Sequence, residues 1–184
     1  MGNLSSLDSE DVIGIFNVLF RTKYNTILLG GCDEPLYQPS RSFTTPNIIY
    51  FKNDYLASAL HEVAHWCLAG AERRKKLDYG YWYVPEGSSK EEQRQFENAE
   101  VKPQALEWMF SRACASRVYV SQDNFGERLP SDRFTRLITQ QAHLWCEGAP
   151  LPQDAKLFIE AARSRSNSNS IFNLDSYWSV PIIG

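Results

Sequence analysis

The sequence predicts an α+β fold, mostly helical, built as a single domain with a small sheet beside a helix that carries two histidines. Three observations predict it. A chain of 184 residues with 43% hydrophobic and 13% aromatic residues can bury one sizeable core and is too short for two comfortable ones. Apolar residues recur at helical spacing through most of the longer segments. Between those segments stand only short β-rich runs, bounded by Gly, Pro and Asp.

Ser9 to Phe20 reads as the first helix, capped by Ser9, with Val12, Ile13, Phe16, Leu19 and Phe20 on its apolar face. Thr26 to Leu29 is a short strand expected to stop at Gly30-Gly31, and Cys32 to Tyr37 then forms an ordered loop. Asn47 to Phe51 is the clearest strand, after which Asn53 or Asp54 is expected to cap the next helix and Gly70 to close it. Arg73 to Lys76 places four basic residues near that helix's C-terminus, where they complement its dipole or dock an acidic or RNA-linked partner. Asp78 to Tyr83 is β-prone and aromatic. Ser89-Lys90-Glu91-Glu92 is a capping box that opens a second long helix, with Pro103 inside it and Ala105, Leu106, Met109 and Phe110 as core. Val118 to Val120 is a further short strand, Ser131 caps a helix to Cys146, and Pro152 to Arg163 is the last helix. Residues 1–163 thus form the domain, and 164–184 a Ser/Asn-rich, partly flexible tail that Tyr177-Trp178 docks back.

The helix after the clearest strand reads Leu60-His61-Glu62-Val63-Ala64-His65-Trp66-Cys67-Leu68. Residues four apart lie one above the other on a helix, so both imidazoles can meet one metal ion, the geometry of an HExxH site. Leu60, Ala64 and Leu68 form a neighbouring apolar row that packs into the core. Two histidines need a further protein ligand, and the second long helix offers Glu97, Glu100 and Gln104 on one stripe. Spacing alone leaves the choice among them open, as it leaves open a solvated charged face. His143, the third histidine, sits beside Leu144 and Trp145 and reads as structural.

Two chemistries use two histidines and a carboxylate. In a zinc metallopeptidase of the HExxH...E type, the metal acidifies a water and Glu62 takes its proton. In a non-haem iron oxygenase, the same three ligands occupy one face of Fe(II), and Glu62 becomes an orienting hydrogen-bond partner.

Composition narrows the setting. A formal charge of -3 argues against electrostatic capture of nucleic acid, so no direct nucleic-acid binding is expected. Cys32, Cys67, Cys114 and Cys146 contain no Cys-x-x-Cys pair and are expected to be free thiols. A polar, acidic start and the lack of a long apolar run predict a cytoplasmic protein without a membrane span.

Several uncommon words occur in one order: Asp33-Glu34-Pro35, Tyr55-Leu56-Ala57-Ser58-Ala59-Leu60-His61-Glu62, His65-Trp66-Cys67, Gly80-Tyr81-Trp82-Tyr83, Gln95-Phe96-Glu97 and Glu100-Val101-Lys102-Pro103-Gln104-Ala105-Leu106. In these the chain resembles the elongation factor P hydroxylase family (EpmC) up to about Arg163. The resemblance implies a metal-dependent, non-haem iron monooxygenase. Its substrate would be the β-lysylated lysine of bacterial translation elongation factor P, with dioxygen as cosubstrate and a reductant the sequence does not identify. It also implies a metallopeptidase-like (zincin-like) site with His61, His65 and Glu100 as ligands, Glu97 as the fallback for the third, and Glu62 in a catalytic, second-layer role. A cationic lysine with a long alkyl stem calls for aromatic walls and an acidic end. Asp33, Glu34, Tyr81, Trp82, Tyr83, Glu97 and Gln104 are the candidates for that pocket. No HxD dyad with a distant basic anchor is present, so 2-oxoglutarate is not expected as cosubstrate.

Overall fold

The protein is described from a computed structural model that covers residues 4–42, 44–77, 89–117, 131–169 and 171–177. In chain order the elements are α1 (Ser9–Tyr24), β1 (Thr26–Cys32), β2 (Leu36–Gln38), β3 (Asn47–Lys52), α2 (Leu56–Leu68), a 3-10 turn (Arg73–Lys75), α3 (Lys90–Ala113), α4 (Asp132–Cys146), α5 (Gln153–Ser166) and a second 3-10 turn (Leu174–Ser176). Among the described residues the fold is mostly helical with one three-stranded sheet, in line with the small sheet the sequence predicts. Among the described residues no helix is long and apolar enough to cross a membrane. The expected strand Val118 to Val120 and the aromatic run Asp78 to Tyr83 lie outside the described residues.

Asp8, rather than Ser9, caps α1. Its Oδ1 accepts from the Asp11 amide at 2.9 Å while the Asp11 carboxylate faces the Asp8 amide, a reciprocal box that a serine one residue later does not complete. The helix runs four residues beyond Phe20 because Arg21, Thr22 and Lys23 occupy its exposed face, and Asn25 ends it in the left-handed conformation at φ 48°.

In the sheet, β3 lies between β1, which runs parallel to it, and β2, which runs antiparallel. The paired glycines do not stop β1. The strand passes through them to Cys32 with a shift of register between Leu29 and Cys32. Gly30 is needed there because a Cβ would stand 2.6 Å from the Phe51 ring and 2.9 Å from the Asn53 carbonyl oxygen. The Gly31 amide donates to that same carbonyl, and the Asn53 amide donates to the Cys32 carbonyl. This pairing fixes where β3 turns into α2. Neither Asn53 nor Asp54 caps α2: Tyr55 stands at the cap without a side-chain hydrogen bond, and Ser58 Oγ accepts from the Lys52 amide at 2.9 Å.

Helix α2 is central, packed against β3, α1, α3 and α5. Eight of its thirteen residues are buried, so its polar side chains sit inside the molecule instead of on a wet face. Trp66 packs edge-on against Phe16 and Tyr24, with ring centroids 5.1 and 5.4 Å away, which ties α2 to α1. The Ser89 box opens α3 as expected, and α3 continues through Pro103 for 24 residues. Ser131 caps α4 by accepting from the Phe134 amide.

Helix α5 extends to Ser166, three residues past Arg163. Ser166 and Ser168 of the Ser/Asn-rich stretch both donate to the Ala113 carbonyl, at 2.7 and 3.1 Å, and so satisfy the C-terminal end of α3. Tyr177 is fully buried, its ring 4.8 Å from that of Trp108, and its carbonyl accepts from His143 Nε2 at 2.6 Å. His143 therefore holds the tail in place. All four cysteines are free, and burial pushes the Cys114 thiol up to about 12 and that of Cys67 higher still.

Candidate metal centre

Two helices build the site. His61 and His65 stand one turn apart on α2, and Glu100 reaches them from α3. His61 and Glu100 are buried, and His65 is partly so. His61 Nε2 and His65 Nε2 are 2.9 Å apart, His65 Nε2 lies 3.4 Å from Glu100 Oε1, and His61 Nε2 lies 3.6 Å from Glu100 Oε2. One ion held at about 2.0–2.1 Å by each ligand would separate the ligand atoms by about 2.9 Å at right angles and about 3.3 Å at the tetrahedral angle. The observed separations match these values to within a few tenths of an ångström.

The hydrogen bonding is incomplete where an ion would sit. Among the described residues Glu100 Oε2 is buried without a hydrogen-bond partner, a costly arrangement for a carboxylate oxygen. On its other side the His61 ring is satisfied: Nδ1 lies 2.8 Å from Glu107 Oε2. With a proton on Nδ1, neutral His61 turns its Nε2 lone pair toward His65 and Glu100. An orphaned oxygen and an imidazole lone pair directed at one point fit a metal ion. Among the described residues, His61, His65 and Glu100 form the one group of His, Cys, Asp and Glu able to hold one. Three protein ligands leave coordination positions for other molecules, as in catalytic sites.

The protons respond to the same crowding. Burial pushes the His61 pKa down, but the Glu107 hydrogen bond and charge, with Glu100 and Glu62, outweigh it and raise the value to about 10 in the metal-free site. Burial pushes Glu100 up, and the hydrogen bond from His65 with both imidazoles more than offsets it, so Glu100 stays below the usual carboxylate range. An ion must displace a proton from His61 to bind there.

Glu62 is buried and, with His65, Tyr37, Ile49 and Arg73, lines a cavity of about 20 Å³ beside the cluster, enough for a water-sized group. Glu97 points elsewhere: its Oε2 accepts from Ser131 Oγ at 2.9 Å at the start of α4 and faces Arg133 at 3.8 Å. Gln104 brings its Nε2 to 3.4 Å from His61 Nδ1, on the side of the ring away from the other histidine. Asp33 and Glu34 lie exposed in the bend between β1 and β2, and neither lines the cavity at the cluster. Tyr81, Trp82 and Tyr83 lie outside the described residues. Sequence reasoning missed Glu107, although its spacing of seven from Glu100 places both on one face of α3.

Arg74 does not extend into solvent with its basic neighbours. Its Nε and Nη2 donate to the Trp66 carbonyl near the end of α2, its guanidinium lies 3.6 Å from the Trp66 ring centroid, and both Nη atoms donate to Asp154. The complement to a helix C-terminus expected of the basic run is made by this residue. A larger cavity of about 430 Å³ opens beside Arg74, lined by Tyr24, Thr26, Asn47 and Asp154 and away from the histidines.

A mostly helical domain with a His-His-Glu cluster able to hold a metal and still accept an outside ligand defines the class: a candidate metal-dependent enzyme. Residues 15–175 match the family described as elongation factor P hydroxylase. The chain is also 43% identical over 169 residues to the elongation factor P lysine hydroxylase of Haemophilus influenzae, covering 91% of this chain and 94% of that protein. The chain belongs to the elongation factor P hydroxylase family, a family of enzymes. Neither match supports the zinc-peptidase alternative.

Proposed function

We propose that the protein is a non-haem iron monooxygenase that hydroxylates the β-lysylated lysine of bacterial translation elongation factor P, a post-translational modification. The observation that carries this reading is the incomplete His61–His65–Glu100 cluster in a chain so similar to a named elongation factor P lysine hydroxylase. In plan the site is metallopeptidase-like (zincin-like), with two histidines from one helix and a carboxylate from a second. His61, His65 and Glu100 would hold Fe(II), which supplies the redox chemistry that couples dioxygen to insertion of an oxygen atom into a C–H bond.

The chain's own groups prepare that chemistry. Two neutral imidazoles and one carboxylate would hold a divalent ion with a single anionic ligand, leaving room for a further oxygen ligand. Glu62, next to His61 and lining the cavity with His65, offers a carboxylate where it can accept a hydrogen bond from an incoming group or from the substrate's ammonium. Ile49 of β3 gives that cavity one apolar wall.

The test is the intact mass of β-lysylated elongation factor P after incubation with the purified protein, Fe(II), a reductant and air. The expected result is a gain of one oxygen atom, absent with His61→Ala or His65→Ala, both of which remain folded and lose metal. No gain under these conditions, or a gain that survives in His61→Ala, overturns the assignment.

A further inference from the structure

Glu107 closes the arrangement from the far side of His61. It lies seven residues after Glu100 on α3, on the same face, and is buried at 3% exposure. The two carboxylates bracket one imidazole, with Glu107 Oε2 at 2.8 Å from Nδ1 and Glu100 Oε2 at 3.6 Å from Nε2. Gln104, on the turn between them, places its amide nitrogen 3.4 Å from the same Nδ1. The two neighbours make opposite demands on the ring. An amide N–H aimed at Nδ1 favours an acceptor there, which puts the proton on Nε2 and blocks that nitrogen for a metal. A carboxylate at Nδ1 requires a proton there and frees Nε2. Hydrogen bonds to an ionised acceptor are shorter and about twice as strong as neutral ones, so the carboxylate at 2.8 Å decides the tautomer.

We propose that Glu107 is a positioning residue for the metal: it selects the His61 tautomer with Nδ1 protonated and fixes the ring plane, so that the Nε2 lone pair points at the place shared with His65 and Glu100. This rests on the reading of His61 as a ligand. Helix α3 thereby contributes twice to one ion, directly through Glu100 and through His61 by way of Glu107. The angle at which α3 crosses α2 sets both contributions together, so the site forms as a unit.

The probe is cobalt(II) chloride, titrated into the metal-stripped full chain against a competing chelator and followed by its visible absorption. Glu107→Gln keeps the shape and removes the charge, and should weaken cobalt binding about tenfold; Glu107→Ala should weaken it up to about a hundredfold, the range seen when such outer partners are removed. A second readout separates tautomer control from a general packing role. The chain has three histidines, so ring-nitrogen proton correlations of the zinc-loaded, nitrogen-15-labelled protein resolve His61. Its Nδ1 proton should resonate far downfield in the wild type and move upfield in Glu107→Gln while the circular dichroism stays the same. Cobalt affinities within twofold of wild type in Glu107→Gln, while His61→Ala loses cobalt, overturn the proposal for Glu107 alone. Wild-type cobalt binding by His61→Ala overturns the ligand reading itself and the role of Glu107 with it. Neither measurement involves elongation factor P, so the substrate assignment is tested separately.

Discussion

Two polar clusters adjoin α2, one toward α3 and one at its C-terminal end, and they differ in whether both oxygens of the central carboxylate find a donor. At the C-terminal end, Asp154 Oδ1 accepts from Tyr24 and Lys23, Oδ2 accepts twice from Arg74, and Arg74 also binds the Trp66 carbonyl and lies over two aromatic rings. Both carboxylate oxygens of Asp154 are engaged there by groups of the chain itself. Toward α3, two imidazole nitrogens face each other at 2.9 Å and a buried carboxylate oxygen has no hydrogen-bond partner among the described residues. A buried cluster that closes on itself joins elements, here α1, α2 and α5. A cluster left open inside a packed core is stable only if something from outside completes it. The first therefore belongs to the scaffold, and the second is the candidate metal site.

The comparison breaks most sharply at Glu100. Glu100→Gln should reduce metal binding by at least about a hundredfold and abolish hydroxylation, since it removes an anionic ligand, whereas Glu97→Gln should retain metal. Metal analysis of the two purified variants distinguishes them: metal kept by Glu100→Gln and lost by Glu97→Gln would reverse their roles, and equal content would remove the distinction. Asp154→Asn tests the closed cluster. It leaves the mostly buried Arg74 guanidinium uncompensated and should cost about 3 kcal/mol in a denaturant titration, with cobalt affinity unchanged in the folded protein. Gly30→Ala disturbs neither cluster directly but pushes a methyl group into Phe51 and the Asn53 carbonyl where β3 leads into α2. About 2 kcal/mol of destabilisation is expected from this overpacking.

The smallest effect concerns a cap far from both clusters. The Ser89 amide and hydroxyl hold Glu92 below the ordinary carboxylate value of 4.5. Because the folded value is depressed, that contribution is fully present above the unfolded value and fades as pH falls through the folded one. Ser89→Ala should lower the thermal midpoint by about 2 °C at neutral pH, and by less at pH 3. A gap that widens on acidification would contradict the assignment.

Much of the helical frame was legible because its signals are local. The spacing of His61 and His65, the Ser89 box and the Ser131 cap each involve residues within one or two turns, and the structure places them on helices as the sequence does. Local signals also misled. Gly30-Gly31 reads as a stop, but close packing against Phe51 makes a glycine necessary inside the strand. Ser9 reads as a cap, but Asp8 and Asp11 complete a better one. Ser166 and Ser168 read as flexible, but their hydroxyls find the carbonyl at the end of α3.

By itself the sequence determined that two imidazoles lie one turn apart on a helix with one face in the core, and that a second helix carries carboxylates at matching spacing. Those facts follow from the 3.6-residue period and from where the apolar residues fall. Only the tertiary structure decided which carboxylate meets which nitrogen. Glu97, Glu100 and Glu107 are all buried acids on α3, yet one faces Ser131, one faces both histidines and one holds His61 from behind. Helical spacing limits the choices to a face, but the distance and angle at which two helices cross are set by the whole packed core, and with them the atom that reaches each nitrogen.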